Sequence, residues 1–211
     1  MRVLAVFGLL MALVVSGTAL AGRGDPETRL SPADQARARS MLIRQADMGL
    51  FQATPTPDDP DTPYCAALDE SDLTLTGRAI SPTFTAGTEF VVSRAYVYAS
   101  TADASASWRR GTGTGGQACL RQALLRQLSG TTVRLVSFKK LAFPKLTVRS
   151  ATYRIVASRN GIRLYLDLIA LQEGRAEVSI VYGAVVTLPP KAEEVKLANV
   201  VARRMIRAMR G

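Results

Sequence analysis

The chain has 211 residues, with 27 lysines and arginines against 17 acidic residues, which gives a formal net charge of +10. It contains no histidine, and this excludes the Ser/His/Asp and Cys/His arrangements of nucleophilic catalysis. Two cysteines without histidine do not make a zinc site, so we expect no bound metal.

Residues 1–21 have the pattern of a secretory signal peptide. Arg2 supplies the positive n-region, Val3–Val15 forms an apolar run, and Ala19 and Ala21 place small residues before a cleavage site. An uncleaved membrane anchor is the alternative, but the apolar run is shorter than the roughly 20 residues of a spanning helix.

Cleavage is expected before Gly22 and predicts a secreted, extracytoplasmic protein. Since Arg2 leaves with the signal peptide, the formal charge falls from +10 to +9. An exported protein with this positive charge is expected to meet anionic lipid head groups or acidic cell-wall polymers, not nucleic acid. Any contact with the membrane would be peripheral. Solubility alone is the simpler explanation of the charge.

Cys65 and Cys119 form an even cysteine count in an exported chain, which favours a disulfide bond. Because the loop between them is long, an unstrained bridge would add roughly 4 kcal/mol to stability. Two buried free thiols remain the alternative.

The N-terminal part of the predicted mature chain contains one helix between two irregular segments. Residues 22–30 are expected to be a short flexible leader, and residues 31–211 a single secreted domain. Ser31 followed by a proline predicts a helix that extends to about Ala46. Residues 52–64 are rich in proline and aspartate and predict a loop without regular structure.

The middle of the chain predicts two strands and then two helical pieces. The strands are expected at Asp72–Arg78 and Glu89–Ala99, the second with clear alternation of side chains. Thr101 is expected to cap the first helix, and the glycine-rich stretch Gly111–Gly116 to separate it from a second helix that begins at Gln117.

The last third predicts four successive strands and a final helix. The strands are expected at Val133–Leu141, Val148–Ser158, Ile162–Gln172 and Arg175–Val186. Asn160–Gly161 is a strong hairpin signal. Apolar residues on both faces of the third strand indicate that both faces of the sheet are covered near one end. The final helix, Lys191–Met209, is expected to bury Val195, Ala198, Ala202, Met205 and Met209.

This order of elements predicts an α+β fold. We expect a mostly antiparallel sheet of about six strands, packed with N-terminal, central and C-terminal helices as a sandwich.

Two short motifs match catalytic or cofactor patterns but lack the required context. Gly111–Gly116 fits G-x-G-x-x-G, but it follows a helical segment where a dinucleotide site needs a strand, so we expect no cofactor. Ser137–Lys140 fits S-x-x-K, but a strand would send Ser137 and Lys140 to opposite faces.

A basic and aromatic cluster is the strongest candidate for a binding site. It consists of Lys139, Lys140, Lys145 and Arg149 with Phe143 among them, and it would form a lip at the mouth of a cleft. A solvated strand end with a turn at Pro144 is the alternative.

The chain resembles actinobacterial secreted domains with a PsbP-like fold, which include LpqN-type lipoproteins and the extracellular sensor domains of PknH-type kinases. The resemblance rests on element order and on short fragments at Ser71–Gly77, Ser93–Tyr98, Thr101–Ala104, Cys119–Leu120, Ala151–Arg154, Gly174–Arg175 and Ala202–Arg204. It implies a PsbP-like sandwich with a cleft that binds ligands or protein partners without enzymatic activity, and it supplies no catalytic or ligand-binding residues. The chain departs from these relatives because it has no lipobox cysteine and no kinase domain.

Three functional hypotheses follow. The first is a secreted, non-enzymatic ligand-binding, partner-binding or sensor-like domain of the cell envelope, for which an anionic or amphipathic envelope ligand or a protein is the expected partner. The second is an envelope adaptor or structural protein held by charge. The third is a hydrolase that uses two carboxylates.

Overall fold

The computed structural model describes residues 24–57 and 65–210, so the predicted signal peptide, residues 1–21, lies outside the described residues. The helices of the described residues are α1 (Pro32–Met41), α2 (Gln45–Met48), α3 (Thr101–Thr112), α4 (Thr114–Leu128) and α5 (Lys191–Arg210). The strands are β1 (Glu27–Thr28), β2 (Gln52–Thr54), β3 (Thr74–Ile80), β4 (Thr83–Ala86), β5 (Glu89–Tyr98), β6 (Val133–Leu141), β7 (Arg149–Arg159), β8 (Ile162–Glu173) and β9 (Ala176–Val185). A short 3-10 helix covers Ala66–Leu68.

The nine strands formed by the described residues belong to one mostly antiparallel sheet, which confirms the predicted α+β class. The main path runs β1-β3-β5-β9-β8-β7-β6, and β4 joins β5 with β2 beyond it. The six predicted strands are present as β3 and β5–β9. The three additional strands are short segments of two to four residues at the sheet margins, where the alternation of side chains is too brief to recognise in a sequence.

Helices cover both faces of the sheet, as the apolar pattern of β8 predicts. On one face, here called the α5 face, α1 and α5 pack on Val178, Ile180, Ile169 and Leu171. On the other, the α4 face, α4 packs on Leu164, Leu166 and Val181. In α5 the predicted stripe is partly wrong, because Glu194, Leu197 and Val201 are buried while Val195 is only half-buried.

The N-terminal segments are more ordered than the sequence predicts. Three backbone N–H groups of residues 27–31 donate to carbonyl oxygens of residues 73–76, so the end of the predicted flexible leader runs beside β3. Helix α1 ends at Met41, not Ala46, because the Ile43 N–H donates to the buried Ser93 Oγ (3.0 Å) and leaves the helical path. Within the predicted loop at residues 52–64, Gln52–Thr54 forms β2, since it pairs with β4.

The helix pair in the middle also differs from expectation. Ser100, not Thr101, caps α3, because its Oγ accepts the Asp103 N–H (3.0 Å). The glycine-rich stretch is not a loop, since only Gly113 separates α3 from α4. The turn at Asn160–Gly161 is confirmed, with φ values of 51° and 81°.

Candidate ligand groove

A groove of about 330 Å³ opens at one end of the sheet, on the α4 face. The C-terminal half of α3 forms one wall, and the end of β6 with the following segment forms the other. Its lining includes Trp108, Thr112, Lys140, Phe143, Lys145 and Arg149. Aromatic and cationic side chains therefore converge on one concave surface.

The α3 wall is held by hydrogen bonds to a buried tyrosine of β7. The Tyr153 hydroxyl donates to the Thr112 carbonyl oxygen (3.2 Å), and the Gln117 amide of α4 donates to the same carbonyl (2.7 Å). The Tyr153 ring stacks on Phe138 of β6, with ring centroids 5.8 Å apart. These contacts fix the end of α3, and with it Trp108, relative to the sheet.

In the opposite wall, the segment of residues 146–150 is held by hydrogen bonds. The Ser150 Oγ accepts the backbone N–H of Leu146 (3.1 Å), and the Thr147 hydroxyl donates to the Arg149 carbonyl (2.6 Å). The Val148 N–H donates to the Glu173 carboxylate (3.1 Å). Because its backbone groups are engaged in this way, the segment keeps a defined shape without a ligand.

The groove is positively charged. Lys140 and Lys145 are exposed and form no ion pair with any described residue. Arg149 is half-buried and donates to the Gln172 amide oxygen (3.1 Å), which directs its guanidinium along the sheet. Glu173 lies near this wall, where its carboxylate accepts a hydrogen bond from the Val148 backbone N–H.

The structure brings together four of the five residues of the predicted basic lip, namely Lys140, Lys145, Arg149 and Phe143. Lys139 lies opposite Arg154 on the α5 face, because successive strand residues point to opposite faces. Ser137 and Lys140 are separated for the same reason, as predicted. Trp108 and Thr112 also line the groove, although no local pattern indicates this, because they come from a helix about 30 residues earlier in the chain.

Two groups of buried carboxyls lie outside the groove lining, and one member, Glu177, interacts with the Trp108 backbone and the Arg149 charge behind it. Beneath α3, the Ser107 hydroxyl donates to Glu177 (3.2 Å), and the Tyr98 hydroxyl donates to Ser107 (2.8 Å) and to Glu70 (3.3 Å). Burial, together with the neighbouring Glu70 carboxyl, raises the pKa of Glu177 to about 8. The second group, Asp167 with Glu194, lies beneath α5.

Cys65 and Cys119 form the predicted disulfide bond, with their Cα atoms 6.3 Å apart. The bond joins the segment that carries the 3-10 helix to α4. Within residues 24–57 and 65–210, no three Cys, Asp or Glu side chains form a group that could hold a metal ion, and no helix is long and apolar enough to cross a membrane.

The chain is similar to the extracellular domain of PknH from Mycobacterium tuberculosis, with a TM-score of 0.43 and 9% sequence identity, over 86% of this chain and 99% of that domain. No protein-family model and no curated protein matches the chain. The neighbour is of the PknH type named in the sequence resemblance, while the PsbP-like and LpqN-type assignments stay predictions.

Proposed function

We propose that this protein is an exported, non-enzymatic binding domain of the cell envelope, formed by residues 31–211. Its ligand site is the groove between α3 and the β6–β7 connection. The observation that carries the proposal is the convergence of Trp108 and Phe143 with three cations on one concave surface, where hydrogen bonds hold the backbone beside Arg149. The Cys65–Cys119 disulfide supports an oxidising, extracytoplasmic location.

The chemistry of the groove favours an anionic amphiphile. Lys140 and Lys145 offer ammonium donors to a phosphate or carboxylate, and Arg149 adds a planar guanidinium. Trp108 and Phe143 offer flat apolar surface to the rest of the ligand. A ligand with one charged end and one apolar part would use both kinds of contact.

Trp108 is the only tryptophan of the chain and reports directly on the groove. We expect monomeric decyl phosphate to shift its fluorescence in a saturable manner, and uncharged decyl glucoside to bind at least about tenfold more weakly. Lys140→Gln and Lys145→Gln should each weaken decyl phosphate binding by roughly threefold to tenfold, because each removes one charge-assisted contact.

Lys139→Gln is the matched control, since Lys139 is adjacent in sequence but on the other face. It changes the net charge as much as Lys140→Gln does and should leave binding unchanged. Equal losses from Lys139→Gln and Lys140→Gln would indicate a general charge effect and would contradict the proposal. Absence of a saturable shift with both amphiphiles would also contradict it.

A further inference from the structure

Exposed apolar side chains lie at the end of the sheet opposite the groove, on the loop before β2, at the start of β8 and on the segment after β9. Antiparallel pairing places Arg159, Ile162 and Val185 together at this end, and the β4–β5 turn lies beside them, since the Val185 N–H donates to the Thr88 carbonyl (3.1 Å). Pairing of Gln52 with Thr85 places the loop before β2 next to that turn. We call this surface the apolar end and define it by Leu50, Ile162, Val186 and Leu188.

The loops of the apolar end are fixed by hydrogen bonds. The Gln45 amide donates to the carbonyl oxygens of Gly49 (3.3 Å) and Phe51 (2.7 Å), and this turn holds Leu50 outward with 99% of its surface exposed. The Val186 N–H donates to the Arg163 carbonyl (2.8 Å). The side chains are therefore presented by an ordered backbone, which lowers the entropy lost on docking.

Val186 is held in a strained conformation. Its φ is +76°, a region that β-branched residues strongly disfavour, and 65% of the residue is exposed to solvent. Burial within the fold does not compensate for this strain. A strained backbone that presents an apolar side chain to water points to a role outside the folded core.

Arginines flank the apolar end on the side of β6, β7 and β8. Arg134 and Arg163 lie on either side of Ser158 in one cross-strand row, and Arg159 begins the adjacent hairpin turn. None of the three forms an ion pair with a residue in the described part of the chain. The carboxylate of Glu89, at the same end of the sheet, is engaged by the Tyr182 hydroxyl (2.9 Å).

We propose that the apolar end docks on the surface of an anionic lipid membrane. Leu50, Val186 and Leu188 would enter the boundary between head groups and acyl chains, and the arginines would contact lipid phosphates. Exposed apolar side chains that are separated from one another, with unpaired arginines nearby, are suited to the fluid surface of an anionic bilayer. On β7, Ala151 of the groove and Arg159 are eight residues apart, so the groove would lie about 26 Å from the docked end and stay open to solvent.

Sedimentation with lipid vesicles tests the proposal, using the protein recovered in its exported form. We expect binding to vesicles that contain phosphatidylglycerol, loss of binding at high salt, and little binding to pure phosphatidylcholine. Leu188→Gln should weaken binding about tenfold, because one apolar side chain no longer leaves water. Val186→Asn should weaken it similarly while leaving the melting temperature unchanged or higher, since asparagine tolerates positive φ.

Matched controls come from α4. Leu125→Gln removes an apolar side chain that is 45% exposed and lies outside the apolar end, and Arg121→Gln removes an exposed arginine of the same helix. Both should bind vesicles as the unmodified protein does, whereas Arg163→Gln should bind less. The proposal is overturned if the protein binds no vesicles, or if the controls lose as much binding as Val186→Asn. It is also overturned if Leu188→Gln abolishes self-association in solution and leaves vesicle binding unchanged.

These results are separable from the proposed groove function. Lys140→Gln should leave vesicle binding intact, and Val186→Asn should leave decyl phosphate binding intact.

Discussion

Glu194 is a buried acidic residue that lies beside a second buried carboxyl group. It lies in the first turn of α5, only 2% exposed, against the buried Asp167 carboxylate. Asp167 also accepts two hydrogen bonds from the Arg154 guanidinium, one of them 2.7 Å from Nε. Burial, together with the neighbouring Asp167, raises the pKa of Glu194 to about 8. At neutral pH Glu194 therefore keeps its proton and donates it to Asp167.

This proton makes stability depend on pH. An unfolded glutamate has a pKa of about 4.3, whereas that of Glu194 in the folded protein is about 8. Between these two pH values the folded state binds a proton that the unfolded state has lost. The free energy of unfolding therefore falls as pH rises through this range. Glu194→Gln keeps a donor to Asp167 without a titrating group. We expect the variant to be more stable than the unmodified protein by about 2 kcal/mol at pH 8, and this difference to shrink towards pH 5, in urea unfolding curves.

Glu193→Gln controls for the loss of one charge near the start of α5. Glu193 is exposed and contacts Lys196 (3.2 Å), so its replacement should change stability by less than about 0.5 kcal/mol at either pH. Parallel pH profiles for Glu194→Gln and the unmodified protein would show that Glu194 does not hold the proton.

At the scale of elements, the junction of α3 and α4 depends on the absence of side chains. A Cβ at Gly116 would overlap the Arg110 carbonyl oxygen and approach Leu68 Cδ2 of the 3-10 helix within 3.0 Å. The glycine-rich stretch thus serves close helix packing. The glycines can be seen in the sequence, but the need for Gly116 cannot, because it arises from close approach to the Arg110 carbonyl oxygen in the folded chain.

Gly116→Ala should therefore destabilise the protein by about 2 to 3 kcal/mol, since backbone must move to accommodate the methyl group. Gly111→Ala is the control. A Cβ there meets nothing within 4 Å, so the variant should gain up to about 1 kcal/mol from helix propensity. Thermal unfolding would compare the two, and a Gly116→Ala variant as stable as Gly111→Ala would contradict the packing explanation.

At the scale of the whole molecule, the disulfide bond closes a long loop. Cys65 and Cys119 are 54 residues apart, and β3, β4, β5 and α3 lie between them. The bond restricts the unfolded chain over this whole section. It also ties the 3-10 helix to α4, on which the Trp108 wall of the groove depends.

Replacing both cysteines by serine should lower the free energy of unfolding by about 4 kcal/mol, from the entropy of a 54-residue loop. Guanidinium unfolding of the double variant measures this loss. Addition of reductant should shift the midpoint of the unmodified protein to that of the variant and leave the variant itself unchanged. A variant as stable as the oxidised protein would show that the bond does not constrain unfolding.

Local signals in the sequence determined the class of fold and its central strands. Alternation along Ile162–Gln172, the turn at Asn160–Gly161 and the apolar pattern on both faces each depend on neighbouring residues, so they can be recognised without a structure. Half of the groove lining is local in the same sense, because Lys140, Phe143, Lys145 and Arg149 lie within one short segment.

Tertiary structure alone decided the rest, because these features join residues that are distant along the chain. Trp108 reaches the groove only because Tyr153 and Gln117 hold the end of α3. The rotation of α5 that turns Glu194 towards Asp167 cannot be read from periodicity, since it depends on a buried carboxyl group that lies on β8, in a different element of the fold. The sequence determines the chemistry of each side chain, and tertiary packing determines which distant side chains come into contact.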